Sequence, residues 1–373
     1  MRGEPGACLE CLRRARLLAL LAPYIEKVAT GSPGSRSPEL LRLGDEDLCE
    51  AVARKAADRL LHEAAMPERA LRASLEAAEC WACCRHDGSF PQALRDAPDG
   101  PRALIGRGDP GLLGELADTG GVVTVVGSRR ATSYGRDLAR SLGHELAAAG
   151  MVVVSGMAFG IDACAHRGAL ETGRTAAVLG CGADVAYPAT HRSLWRRIQE
   201  RGLVISELPP GTGAWRWAFP ARNRVMAALA GMTVVVEAAE RSGSLITADL
   251  AADLGRDLGA VPGPVGSRTS AGPNALLAGG ACVVRDAQDV LDAMLGPGVK
   301  VAAPSGPTLD EESSLVLAAV ERGMDTGDAI AAELGLDGSG VAAALAGLEA
   351  TGYVSCSLLG SYSRTPLSRP TGD

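Results

Sequence analysis

From residue 122 onward the sequence alternates short β-branched runs with glycine turns and amphipathic helical segments. The first two apolar runs cover Val122 to Val126 and Val152 to Ser155, and a helical pattern from about Gly135 to Ala149 separates them. Wholly apolar strands separated by helices are typical of a parallel sheet covered on both faces. Further apolar runs predict strands at 176–179, 203–206, 233–237, 258–261 and 281–284. The chain is therefore expected to form an α/β fold with a doubly wound, mainly parallel Rossmann-like sheet, whose ligands bind outside the carboxyl ends of the strands.

The segments that flank this region have different patterns. Leucine-rich helical patterns precede it, prolines punctuate the stretch that follows them, and three short helical patterns with an apolar run lie near the end. Three helices and a β-ribbon are the pattern of a winged helix. The predicted divisions are a helical N-terminal domain at 1–85, a connector packed on the core at 86–121, an extended Rossmann-like domain at 122–297, a linker at 298–307, a winged-helix-like domain at 308–365 and a disordered tail at 366–373.

Charge limits how this chain can meet a polyanion. Its net charge of -7 argues against indiscriminate coating of nucleic acid, because such binding replaces condensed counterions with protein cations. A local basic stretch between residues 187 and 224 is opposed only by Glu200 and Glu207, and its arginines are Arg192, Arg196, Arg197, Arg201, Arg216, Arg222 and Arg224. This stretch predicts either a polyanion site or a solvated helix face.

The C-terminal segment has the opposite charge. Nine acidic residues between Asp310 and Glu349 face only three arginines, Arg322, Arg364 and Arg369. The third helical pattern, which would enter a major groove, contains no arginine or lysine. Phosphates would repel such a surface, so we expect a protein-interaction module here rather than a DNA reader.

Apolar runs are too short to suggest a membrane protein, and the first residues do not resemble a secretory signal. The expected location is therefore the cytoplasm, where the ten cysteines would stay reduced.

Glycine turns follow the predicted strands and suggest an anion site. Gly127, Ser128 and Arg129 follow the first strand, where bare amides and a forked guanidinium suit a phosphate. One such turn alone is as well explained by a tight βα connection. Further turns fall at the same expected edge of the sheet, and their residues are Gly156, Gly160, Gly180, Gly182, Ser242, Gly243 and Ser244.

A second motif, Phe219-Pro-Ala-Arg222-Asn223-Arg224, is expected to open a helix. The polar residues would then lie beside the positive end of the helix. Phe219 is either a core residue or a platform on which an unpaired base stacks.

Catalytic groups are not evident in the central region. Asp162 and His166 could share a helix face, but structural roles are expected for both, with Asp162 as an N-cap. The sequence has no P-loop motif, and the central region has no nucleophile-elbow motif. We therefore expect no enzyme activity and no required cofactor.

Two cysteine pairs suggest structural zinc in the N-terminal domain. Cys8 and Cys11 form one Cys-x-x-Cys pair, and Cys80 and Cys83 form another, with Cys84 and His86 adjacent. Thiolates at this spacing suit zinc, and buried reduced cysteines are the alternative.

Ordered motifs extend over about residues 89 to 295. They are Val126 to Arg129 with Thr132 and Tyr134-Gly135, Val154 to Asp162, Ala165-His166, Tyr187-Pro188, Ser206-Glu207, Phe219 to Arg224, Glu237 with Ser242 to Thr247, Val261 to Gly263, and Gly272 to Asn274. In this order they resemble the DNA-processing protein A family, called DprA or Smf. Three positions depart from the family pattern: Phe159 where arginine is common, His191 for a frequent asparagine, and Gly259 at an often aromatic position.

The resemblance implies a non-catalytic protein that binds single-stranded DNA, protects incoming strands in natural transformation and hands them to a RecA-type recombinase. It also implies a homodimer formed through the Rossmann-like domain. The DNA contacts that it implies are Gly127, Ser128 and Arg129, the turn from Tyr187 through His191 to Arg192, and Phe219, Arg222, Asn223 and Arg224.

Two other functions remain open. A nucleotide phosphoribohydrolase uses a related Rossmann fold, although the Pro-Gly-Gly-x-Gly-Thr run of that group is missing here. A transcriptional regulator would instead bind DNA through the C-terminal segment.

Overall fold

The computed structural model of the chain describes residues 6–31, 37–298, 307–356 and 360–364. The chain forms two compact units, residues 1–301 and 302–373. Most of the predicted linker and the whole predicted tail lie outside the described residues. In the part of the chain that is described, no helix combines the length and the apolar character needed to cross a membrane.

The first unit begins with helices. Their bounds are α1 Leu9–Gly31, α2 Ser37–Leu40, α3 Asp45–Ala53, α4 Ala57–Ala64 and α5 Glu68–Ala77. Leu17, Leu18 and Leu21 of α1 are buried against Leu48 and Leu60 from the helices that follow.

Strands and helices then alternate to residue 295. Their bounds are β1 Trp81–Cys84, α6 Gln92–Asp96, β2 Ala103–Gly108, α7 Leu113–Leu116, β3 Val122–Val126, α8 Ser133–Ala148, β4 Val152–Ser155, α9 Ile161–Thr172, β5 Thr175–Leu179, α10 Arg192–Arg201, β6 Leu203–Ser206, α11 Ala218–Leu229, β7 Met232–Val235, α12 Gly243–Asp253, β8 Asp257–Ala260, α13 Ala271–Ala278, β9 Cys282–Val283 and α14 Ala287–Leu295.

Within the described residues these strands form one nine-stranded sheet, in the order β1-β2-β6-β5-β4-β3-β7-β8-β9. The seven strands from β3 to β9 are parallel, with Val123 opposite Val153 on one side and Met232 on the other. All seven predicted strands occur within two residues of their predicted bounds. The predicted doubly wound fold is confirmed, and the chain reverses its winding direction between β3 and β7.

Side chains of each strand alternate between two apolar layers. Val122 and Val126 of β3 pack in one layer with Val225 and Met226 of α11, whereas Val123 and Val125 pack in the other with Leu142 and Leu146 of α8. Burial of β3 on both faces explains why its sequence is apolar at every position except Thr124.

The strand β1 at one edge of the sheet and its neighbour β2 were not predicted. They pair with each other antiparallel, and β2 also pairs antiparallel with β6, with Ile105 opposite Ser206. Residues assigned from sequence to the end of the helical domain and to the connector thus extend the central sheet. The prolines that suggested a connector, Pro101 and Pro110, lie just outside β2, where they remove no ladder hydrogen bond.

The second unit contains the elements expected for a winged helix. Its bounds are α15 Glu311–Glu321, α16 Gly327–Leu334, α17 Gly338–Ala350, β10 Val354–Cys356 and β11 Tyr362–Arg364. The two strands pair antiparallel, and buried Val316, Leu345 and Tyr353 share one apolar core.

Candidate nucleic-acid interface

A cleft lies beyond the carboxyl ends of the parallel strands. The segments that follow four successive strands, β3 to β6, supply its walls, because parallel strands end at the same edge of the sheet. The lining residues are Arg129 after β3, Gly156, Ala158 and Phe159 after β4, Tyr187 and Pro188 after β5, and Phe219 and Arg222 at the start of α11.

Aromatic rings and guanidinium groups meet in this cleft. The rings of Tyr187 and Phe219 lie with their centroids 5.3 Å apart, and the Arg129 guanidinium carbon lies 5.4 Å from the Phe219 centroid. Tyr187 and Phe159 are 41% and 45% exposed, and Arg129 is also exposed. Exposed aromatic faces beside an exposed cation can bind a stacked base and a phosphate at the same time.

Arg222 forms part of the cleft floor and is nearly buried. It donates to the carbonyl oxygens of Val178, at 2.7 Å, and of Gly156, and its Nη2 lies 3.8 Å from Oδ2 of Asp162. Gly156 lets the Arg222 guanidinium pack closely here, because a Cβ at this position would overlap it. Burial raises the pKa of Asp162 while Arg222 opposes the rise, so this acid is a partner of the cation rather than a free catalytic group.

Arg224 does not lie in the cleft. Its side chain is 2% exposed, donates to the carbonyl of Asp99 and forms an ion pair with Glu207. The sequence prediction grouped it with Arg222 at the exposed end of α11. Positions two apart on a helix point in different directions, and only Arg222 faces the cleft.

Asn223 connects α11 to the predicted hydroxyl turn. Its side-chain amide donates to the carbonyl oxygen of Gly243 at 3.2 Å, and the hydroxyls of Ser242 and Ser244 lie 2.7 Å apart. Ser242 also caps α12. These residues do not line the cleft, so the sequence prediction joined two separate parts of the surface.

Several backbone amides that were predicted to approach an anion instead donate to carbonyl groups of the protein, and two of the predicted glycines lie in close packing contacts. The Ser128 N–H donates to the carbonyl of Glu237 at 2.6 Å, and the Gly182 N–H donates to that of Thr212 at 2.8 Å. Cβ atoms at Gly127 and Gly180 would lie 2.6 Å from Ile161 and 3.1 Å from Ala218. The absence of a side chain at these two glycines thus allows close packing of the backbone. Gly160 has a φ of 75°, which favours glycine.

Glu237 follows β7, at the edge of the sheet where a catalytic or metal-binding acid would lie. Its carboxylate instead accepts from the N–H of Thr132 at 2.9 Å and from the Thr132 hydroxyl at 2.5 Å. The acid therefore fixes the loop that carries Arg129.

Two histidines are also structural. His191 is buried, with its Nδ1 3.1 Å from the carbonyl oxygen of Met157 and the Phe159 ring edge-on at 4.8 Å. His191, a contact that the resemblance implied, is thus buried and does not line the cleft, whereas Phe159, absent from the predicted contacts, is exposed in the cleft. Burial lowers the pKa of His166 to about 3, with Arg222 adding to the effect, so His166 is neutral near pH 7.

The arginines of α10 form an exposed face. Leu194, Trp195 and Ile198 are buried, while the exposed basic residues are Arg192, Arg196, Arg197 and Arg201. This distribution is compatible with both interpretations of the basic stretch.

The predicted cysteine site has a different membership in the structure. The potential metal-ligating atoms of Cys8, Cys11, Cys84 and His86 lie within 4.8 Å of one another. Cys83 points to the opposite layer of the sheet, because successive side chains of a strand face opposite sides. Cys80 precedes the strand, and its thiol donates to the carbonyl of Ala78. The prediction of Cys80 and Cys83 as partners of the first pair was therefore wrong.

A sequence model of the DNA recombination-mediator protein A family matches residues 81–295, from β1 to the end of α14. The chain belongs to this family. Its matched region is more than half of the chain and includes every residue that lines the cleft. The family resemblance inferred from the motifs is thereby confirmed.

Named relatives support this membership. A DNA processing protein DprA from Mycobacterium tuberculosis is 47% identical over 184 residues, which are 49% of this chain and 47% of the relative. The chain thus spans about half the length of the relatives it matches there. The solved DNA processing protein A from Streptococcus pneumoniae aligns over 76% of this chain and 95% of its own, with a TM-score of 0.59 and 30% identity.

A second solved structure concerns the single-stranded DNA binding mode of DNA processing protein A from Helicobacter pylori. It aligns over 55% of this chain and 93% of its own, with a TM-score of 0.50 and 31% identity.

Proposed function

We propose that this chain binds single-stranded DNA in the cleft, protects incoming strands during natural transformation and loads a RecA-type recombinase onto them. The observation that carries the proposal is the contact of Arg129 and Tyr187 with Phe219, beside the buried cation of Arg222. We further propose that the protein acts without catalysis, in the cytoplasm, as a homodimer.

The chemistry of the cleft favours an unpaired strand over a duplex. Stacking on Phe219, Tyr187 or Phe159 needs a base whose face is free, and every base has such a face. Arg129 is exposed beside these rings and can donate two parallel hydrogen bonds to a phosphate. Binding should therefore depend little on base sequence and should weaken as salt rises.

The family supports the same proposal. The chain belongs to the DNA recombination-mediator protein A family, and the relative from Helicobacter pylori is described as binding single-stranded DNA. The transformation role and the recombinase partner extend the proposal beyond these findings.

A nucleotide-hydrolysing enzyme is the second candidate, but no observation in the cleft favours it. Asp162 is paired with Arg222, and Glu237 is held by Thr132, so neither acid has the exposed geometry of a general acid or base. The DNA-binding proposal accounts for the aromatic rings, which hydrolysis would not require together.

The decisive experiment compares single-stranded and duplex oligonucleotides of equal length by fluorescence anisotropy across a salt series. We expect tighter binding to the single strand, with affinity that falls as salt rises. Equal or absent binding at low salt would contradict the proposal. In parallel, incubation with nucleoside monophosphates should release no free base, and release would favour the phosphoribohydrolase alternative.

A further inference from the structure

Three thiols and one imidazole converge where the start of the chain meets β1. Cys8 and Cys11 lie just before and within the first turn of α1, Cys84 ends β1, and His86 lies in the turn that follows. Nδ1 of His86 is 3.3 Å from Sγ of Cys8, 3.7 Å from that of Cys11 and 4.0 Å from that of Cys84. One nitrogen therefore faces three sulfurs, although Cys8 and Cys11 are more than seventy positions from His86 along the sequence.

These separations agree with a tetrahedral zinc ion. Zn–S bonds of about 2.3 Å and a Zn–N bond of about 2.0 Å, at tetrahedral angles, put sulfur and nitrogen ligands roughly 3.5 Å apart. The three sulfur–nitrogen distances in the cluster lie on both sides of this value, and all four ligand atoms lie within 4.8 Å of one another.

The surroundings of the cluster also suit a structural site. Cys11 and Cys84 are 1% exposed and pack with Leu12 and Ile105 in one apolar cluster. The Cys8 N–H lies 3.4 Å from Sγ of Cys84, an arrangement in which a backbone donor stabilises a thiolate ligand. Next to the cluster, the Gly6 N–H donates to Asp87 at 2.8 Å, which joins the same two segments.

We propose that Cys8, Cys11, Cys84 and His86 bind one structural Zn²⁺ that fastens the start of the chain and α1 to the edge strand β1. Three cysteines and one histidine fill all four positions of tetrahedral zinc, so water has no place on the ion and the site supports folding rather than catalysis. This site is separate from the DNA cleft and does not depend on the proposed function.

Metal analysis of the full chain, purified with zinc in the medium, tests the proposal. We expect one zinc per chain in the unaltered protein and in Cys80→Ser, a matched control whose thiol lies outside the cluster. Cys84→Ser and His86→Ala should lose most of the metal. Cobalt loading should give the visible absorption of a tetrahedral thiolate complex in the control but not in these variants.

A ligand exchange separates metal binding from misfolding. His86→Cys restores a fourth soft ligand and should keep zinc, whereas His86→Ala should not, although both remove the imidazole. Protein that contains no stoichiometric zinc, equal zinc in His86→Ala and Cys80→Ser, or a disulfide between Cys8 and Cys11 in freshly purified protein would each overturn the proposal.

Discussion

Arg129 and Arg224 provide a matched pair of alanine substitutions with opposite expected effects. The sequence predicts that both arginines contact DNA. In the structure, Arg129 is exposed in the cleft, whereas the Arg224 side chain is 2% exposed and forms an ion pair with Glu207. Arg129→Ala should therefore weaken DNA binding without unfolding the protein. Arg224→Ala should destabilise the protein, and any loss of binding should follow from the loss of folded molecules.

The expected magnitudes follow from these environments. A hydrogen bond from a charged group contributes about 1.5 to 3 kcal/mol, so Arg129→Ala should raise the Kd for a single strand roughly 10- to 150-fold. Its effect on the free energy of unfolding should stay within about 0.5 kcal/mol, as at other exposed positions. Arg224→Ala leaves Glu207 and the Asp99 carbonyl without their donor, and breaking such a buried pair costs about 3 to 5 kcal/mol.

Two measurements on the same samples separate the effects. Fluorescence anisotropy with a single-stranded oligonucleotide over a salt series gives the slope of log affinity against log salt. This slope should be smaller in magnitude by about 0.7 in Arg129→Ala, because the variant makes one phosphate contact fewer. Urea unfolding should show an unchanged midpoint for that variant and a lower midpoint for Arg224→Ala. An Arg129→Ala protein with unaltered affinity and slope would refute the assignment of the cleft, and an Arg224→Ala protein with unaltered stability would refute the structural role.

Three further predictions concern other parts of the molecule. Phe219→Ala should weaken single-strand binding by about 1 to 3 kcal/mol without changing the salt slope, because a stacking face is lost but no charge, and Phe219→Trp should retain binding; a changed slope would contradict stacking. In the folded protein His166 has a pKa of about 3, against a usual value of 6.5. Between these two pH values protons bind preferentially to the unfolded chain, so the free energy of unfolding falls by up to about 1.4 kcal/mol for each pH unit of acidification. Urea titrations at several pH values should therefore show a shallower acid dependence in His166→Gln than in the unaltered protein, and equal slopes would rule out this histidine. Ending the chain at residue 301 should leave single-strand affinity nearly intact, because every cleft residue belongs to the first unit; a collapse of binding in the same anisotropy assay would instead favour a regulator that acts through the C-terminal unit.

The parallel sheet could be predicted from sequence because its strands are buried on both faces. The pattern of Val122 to Val126 is apolar at nearly every position, which leaves few alternatives to a covered strand. Strands β1 and β2 were not predicted because their sequences lack this continuous apolar pattern. Trp81 to Cys84 is short and follows a helix directly, and β2 contains two glycines between flanking prolines, so neither has the usual strand signal.

The candidate site was predictable only as a set of strand ends. Residue type does not indicate whether Arg222 or Arg224 of α11 faces the cleft. That depends on how the helix is rotated about its axis and on Glu207, which follows β6 and pairs with Arg224. Phe159 appeared only as a departure from the family pattern, although its exposure in the cleft makes it a candidate stacking residue. For the cysteines, successive side chains of β1 face opposite sides of the sheet, so Cys84 rather than Cys83 faces Cys11. Because β1 was not predicted, the sequence analysis could not make this distinction.

The tight packing of Arg222 beneath Gly156 has a thermodynamic consequence for a ligand. Ordering a long side chain at an interface costs about 0.5 to 1.5 kcal/mol, and this guanidinium is already immobilised by two carbonyls before any ligand arrives. A phosphodiester in the cleft would thus meet a preorganised guanidinium, whose charge Asp162 offsets in part, with no further loss of rotamer freedom. The exposed side chains of the cleft remain free to adapt to successive nucleotides.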